Sequence, residues 1–106
     1  MKLELLHKNG NVAMLRKLQS FAYIADGVSY LNRLKAETAV RLAIQLDDET
    51  LIRLLENPDL RHDIRLAACV ISSARAEVLT GLAEDRLADL LGRLDKEPRQ
   101  RALVLL

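Results

Sequence analysis

Few residue types in this chain suit chemistry. It has two histidines, His7 and His62, and one cysteine, Cys69. A metal centre needs several His, Cys or carboxylate ligands converging on one point. Asp59 and His62 are three residues apart, with Asp63 adjacent. On one helix face they would make half of such a site, and a capping aspartate beside a surface histidine accounts for the same pattern. Cys69 sits in the apolar run AACVI, which reads as a small buried hydrophobe without a base to activate it. Ser72 and Ser73 read as punctuation between helices. The acidic sets Asp47-Asp48-Glu49 and Glu84-Asp85 stand where helices begin, and a helix N-terminus explains negative charge there without catalysis. The four glycines are scattered and make no phosphate-binding loop. The sequence therefore points to no catalytic residue, no metal and no cofactor, and the expectation is a protein that is not an enzyme.

The charge balance narrows the partners. Sixteen basic residues face fifteen acidic ones, a formal net charge of +1. A general nucleic-acid or anionic-membrane binder would carry a basic excess. The first 35 residues are mildly basic, with Lys2, Lys8, Arg16, Lys17, Arg33 and Lys35 against Glu4 and Asp26. They leave a regulatory nucleic-acid-binding role as the alternative reading. A single cysteine makes no internal disulfide, so a reducing cytosol is the expected compartment. No window approaches the roughly 18 apolar residues of a spanning helix. The N-terminal MKLELLHKNG is interrupted by Glu4 and His7 and does not read as a leader.

The elements that must carry these residues are helical. Half the residues are apolar, dominated by Leu and Ala, and the only aromatics are Phe21, Tyr23 and Tyr30. Leu, Ala, Glu and Arg favour helices, so an all-α single domain over residues 1–106 is expected. A short element over 2–8 ends at Asn9-Gly10, with Gly10 as helix C-cap and Asn11 as the next N-cap. A helix follows from Val12 to about Ala25, closed by Asp26-Gly27. Further helices are expected over about 28–35, 38–46, 50–56, 59–72, 74–82, 84–94 and 99–106. Leu87, Leu90, Leu91 and Leu94 make an i, i+3, i+4, i+7 stripe, with Asp85, Arg86, Asp89 and Arg93 on its solvated face. The stretch 51–71, LIRLLENPDLRHDIRLAACVI, is apolar nearly all round after Leu66 and should be the core hairpin. With so little Gly and Pro, loops are short and consecutive helices antiparallel.

Three stretches share a pattern of apolar helix, acidic turn and a second helix opening on an arginine. They are YLNRLKAETAVRLAIQL (30–46), LIRLLENPDLRHDIRLAACVI (51–71) and LADLLGRLDKEPRQRALVLL (87–106). The pairs Val40-Arg41, Ile64-Arg65 and Gln100-Arg101 line up, and Pro58-Asp59 marks the middle corner. This resembles the HEAT family of helical repeats, whose units carry a Pro-Asp corner and a Val-Arg pair. The intervals between the arginines, 24 and 36 residues, depart from a fixed period, and residues 1–29 lie outside the pattern. The resemblance implies stacked antiparallel helical hairpins. It also implies that Arg41, Arg65 and Arg101 pair with Glu37, Asp59 and Glu97.

The function expected from all this is a small protein–protein interaction or adaptor module with a HEAT-like or irregular helical bundle. Tyr23, Tyr30, Arg61 and Arg65 are the candidate partner-binding residues, because Tyr and Arg are favoured interface anchors. The apolar end LVLL is expected to pack on the fold or on another molecule, a second copy included.

Overall fold

A computed structural model describes residues 12–106 of the chain. The described residues form eight helices and no strand, which establishes the all-α class. They are α1 (12–20), α2 (Ile24–Asn32), α3 (Ala36–Ala43), α4 (Asp48–Glu56), α5 (Asp63–Ser72), α6 (Ala76–Gly81), α7 (Glu84–Arg93) and α8 (Lys96–Leu105). The expected element over 2–8 and the caps at Gly10 and Asn11 lie outside the described residues.

Two layers result. Helices α2, α4 and α6 pack side by side in one, and α3, α5 and α8 in the other. Helix α5 also touches α4, α6 and α7, so it is the hub. That matches its sequence, in which apolar side chains cover most of the helix surface. The core hairpin expected over 51–71 is there. Leu51, Leu54 and Leu55 of α4 and Leu66, Ala67 and Val70 of α5 are all fully buried. Each leucine so removed from water contributes about 1.5–3 kcal/mol before entropy is counted.

Several boundaries differ from the sequence expectation, each for a local reason. The first long helix ends at residue 20, and α2 starts at Ile24, so Asp26-Gly27 opens a helix where a stop was expected. Asp26 lies in the first turn of α2, where a negative charge is favourable, and its N–H donates to the Tyr23 carbonyl at 3.1 Å. Helix α5 starts at Asp63, four residues after the start expected near residue 59. Asn57 Oδ1 instead accepts from the Asp59 N–H at 2.9 Å, closing a side-chain turn that lets Leu60 dip into the core. Asp59 and His62 are therefore not on one helix face, which removes the half-site the sequence suggested. Helix α4 is capped as expected: Asp47 accepts from the Thr50 N–H at 2.9 Å. Helix α8 takes in Pro98, which sits in its first turn, where the missing N–H costs nothing.

The step from α5 to α6 is a left-handed cap without glycine. Ala74 has φ 54. Its N–H donates to Ile71 O at 3.0 Å and the Arg75 N–H to Val70 O at 3.2 Å, the paired bonds of a Schellman ending. This pulls the start of α6 from the expected Ala74 to Ala76. Gly81, at the end of α6, lies hard against α4: a Cβ there would fall 2.3 Å from Ile52 Cδ1.

Candidate functional site: pinned helix corners and the α3–α5 groove

The side chains best suited to chemistry are used to pin the corners between helices. Arg75 donates from Nη1 to Ile44 O at 2.8 Å and from Nη2 to Leu46 O at 3.0 Å, just past the end of α3. Its Nε also meets Asp48 Oδ1 at 3.0 Å, on the first residue of α4. Arg86 does the same one corner later. It donates to Leu55 O at 2.6 Å and Asn57 O at 3.4 Å at the end of α4, and to Asp63 Oδ2 at 3.0 Å on the first residue of α5. A guanidinium suits this work because its fork of donors satisfies carbonyls left open at a helix end while its charge meets the carboxylate of the next helix start. Each arginine lies 31 and 29 residues beyond the two carbonyls it holds. A third corner follows the same stacking without an arginine head group. Asn32 donates to Asp59 O and accepts from the Arg61 N–H, both at 2.9 Å, and His62 Nε2 lies 3.1 Å from Leu34 O.

Asp63 is the one buried charge among the described residues, 5% exposed. Besides Arg86 it receives Arg93 Nη2 at 2.8 Å and the Ile64 N–H at 2.7 Å. Asp89 closes the cluster by bonding both Arg86 and Arg93 at 2.9 and 2.7 Å. Hydrogen bonding from Arg93 first, then the charges of Arg93 and Arg86, holds the Asp89 carboxyl below its ordinary value. Asp63 first, then Asp89, raises the Arg93 guanidinium above its ordinary value. The expected solvated face of Asp85, Arg86, Asp89 and Arg93 holds for Asp85, Asp89 and Arg93, which are exposed, and is corrected at Arg86, which is 12% exposed at its side chain. A period of 3.6 placed Arg86 opposite the leucine stripe, and only the packing of α7 on α5 shows that its side chain also meets protein.

The arginine pairs implied by the HEAT resemblance hold at one place. Arg101 meets Glu97 at 2.8 Å along α8. Arg41 with Glu37 and Arg65 with Asp59 make no ion pair within 4.0 Å. Glu37 stands on the same helix as Arg41, exposed, and Asp59 lies in the turn before α5 rather than on it.

The four partner-binding candidates are not brought together. Tyr23 is 74% exposed and lines a cavity of about 740 Å³ between the α1–α2 corner and the start of α4, with Leu18, Leu46, Asp47 and Arg53. Tyr30 is half-buried, its ring 5.7 Å from that of Phe21. Arg61 is exposed in the corner before α5. Arg65 borders a second groove of about 480 Å³ between α3 and α5. Val40, Ile44, Ala68 and Cys69 form the apolar lining of that groove, and Glu37 and Arg41 stand on it with Arg65. Cys69 is therefore half-buried on a groove wall and not part of the closed core. The end of the chain is divided: Leu105 packs on the core, while Leu103 and Val104 are exposed, Val104 by 87%. Among the described residues no group of three or more His, Cys, Asp and Glu is placed to hold a metal ion, and no helix is long and apolar enough to cross a membrane.

Packed helices with arginine-pinned corners define an all-helical domain. The model of the family described as MgtE intracellular N domain matches residues 22–106, and the chain belongs to that family. The HEAT resemblance finds no family match. No curated protein and no solved structure matches the chain.

Proposed function

We propose that the chain is a non-enzymatic docking module that works in the regulation of magnesium transport, on the intracellular side, by presenting helical faces to a protein partner. The observation that carries this reading is the family membership over residues 22–106. The N-terminal domain of MgtE is a helical domain of a magnesium transporter's regulatory region. The arrangement of the side chains supports the same reading. The buried charge is consumed in holding corners together, and no buried side-chain nitrogen or oxygen among the described residues lacks a hydrogen-bond partner. What the fold leaves over is surface: two grooves and the exposed side chains Tyr23, Leu103 and Val104.

The test is a titration of the purified 106-residue chain against the intracellular portion of a magnesium transporter of this family, by calorimetry, with and without Mg²⁺. Saturable one-to-one binding in at least one condition is the expected result. No heat and no co-sedimentation at about 100 µM in both conditions would overturn the proposal.

A further inference from the structure

The arginines of this chain divide into two populations. Arg53, Arg75, Arg86, Arg93 and Arg101 all lie in ion pairs. Arg16, Arg33, Arg41, Arg61, Arg65 and Arg99, together with Lys35, are exposed and form none among the described residues. The fold collects part of this second set, Arg33, Lys35, Arg41, Arg61 and Arg65. The Asn32 and His62 bonds bring the end of α2 and the start of α3 to the corner before α5, and Arg41 and Arg65 stand on the groove between α3 and α5. Only Glu37 and Asp59 lie among them with the opposite sign, both exposed. The apolar lining of Val40, Ile44, Ala68 and Cys69 thus has a rim of two arginines, Arg41 and Arg65, against one carboxylate, Glu37, which makes its edge net positive.

We propose that the α3–α5 groove takes an acidic amphipathic helix of a partner protein, with its apolar stripe on Val40, Ile44, Ala68 and Cys69 and its carboxylates on Arg41 and Arg65. The dimensions suit that occupant. At 1.5 Å per residue, α3 and α5 are about 12 and 15 Å long, enough to seat two to three turns through i, i+3/i+4 and i+7 anchors. The charge sets the sign of the partner, since carboxylates on its flanks find arginines already free of competing ion pairs. An apolar floor without aromatic side chains is a poor seat for single-stranded nucleic acid, which would stack on Tyr or Phe, and two arginines beside a glutamate make a weak phosphate track for a duplex. Tyr23 and Tyr30 do not line this groove. The proposal rests on the docking reading above and names the surface and the chemistry of its partner.

The test uses the whole chain and three fluorescent probes. One is an 18-residue helical peptide with a leucine stripe and glutamate flanks. The second has the same stripe with lysine flanks, and the third is a 16-base-pair DNA duplex. The glutamate peptide is expected to bind at least about tenfold tighter than the lysine peptide at 50 mM salt, with the preference shrinking as salt rises. In R41E/R65E, whose altered side chains are exposed and unpaired so that folding is undisturbed, the preference should reverse. Bound glutamate peptide should also slow alkylation of Cys69, the only thiol. Equal binding of the two peptides, an unchanged preference in R41E/R65E, or tighter binding of the duplex would overturn the proposal. If the transporter portion binds wild type and R41E/R65E alike while the glutamate peptide fails, the groove assignment falls and the docking reading stands. If neither binds, both fall.

Discussion

Replacing Asp63 by asparagine tests the reasoning about the pinned corners most directly. The substitution keeps the volume and removes the charge on which Arg86 and Arg93 converge at 3.0 and 2.8 Å. Losing one partner of a buried ion pair costs about 3–5 kcal/mol, because the other charge stays desolvated. Here the lower end applies. Arg86 keeps Asp89 and the Leu55 carbonyl, and Arg93, 43% exposed at its side chain, keeps Asp89 and partial hydration. We expect about 3 kcal/mol, which for a chain of this size lowers Tm by roughly 12–24 °C. Thermal and urea unfolding followed by circular dichroism at pH 7 would measure it. The loss should change little between 50 and 500 mM salt, because a buried pair is screened less than an exposed one. A second variant separates the charge from the corner bonds: Asp63→Leu with Arg86→Met removes the unpaired charge but also the donors to the Leu55 and Asn57 carbonyls, and should recover only part of the loss. A D63N protein within about 1 kcal/mol of wild type would refute the idea that this carboxylate holds the α4–α5 and α7 elements together.

Three further outcomes follow from single features. Ala74→Gly should raise stability by about 0.5–1 kcal/mol, since relief of an alanine at φ 54 outweighs the entropy that glycine gains in the unfolded chain; an unchanged or lower urea midpoint would contradict the strained cap. Gly81→Ala should cost about 1–3 kcal/mol by driving a methyl into Ile52, and Ile52→Val in the same chain should return part of it; full tolerance of alanine would mean that α4 and α6 are not so closely set. In acid, Thr50's hydrogen bonds to Asp47, and Arg93's to Asp89, hold both carboxyls below their ordinary value of 3.8. The folded state then binds fewer protons than the unfolded one, so their stabilisation is present above about pH 4 and is lost as pH falls through the folded values. The D47N/D89N double variant should show a shallower fall of urea midpoint between pH 5 and 3; an identical slope would remove these two groups from the acid response.

Much of the architecture could be read along the chain. Leu, Ala, Glu and Arg set the helices, and the run from Leu66 to Ile71 marked α5 as the helix covered on most sides. The Asp47 cap and the α7 leucine stripe needed nothing beyond local propensity and a 3.6-residue period. Both are decided within a turn or two of chain. The arginine-spacing repeat misled because it compared the wrong arginines. Arg41, Arg65 and Arg101 share a pattern along the chain, whereas the structural repeat lies in Arg75 and Arg86, each reaching back 29 and 31 residues to a helix end.

That distance separates what the sequence determined from what the tertiary structure decided. The sequence alone determined that this chain is helical and that its centre is the α4–α5 hairpin, because backbone propensity and apolar periodicity act locally. Which charges are structural and which are left exposed is a property of the stack. Arg86 and Arg65 both look like solvated arginines on an amphipathic helix. One is buried against Asp63, 23 residues away, and the other faces an open groove. A helix offers its polar side chains to whatever packs next to it, and only the packing of the layers says whether that neighbour is an aspartate of the same chain or solvent.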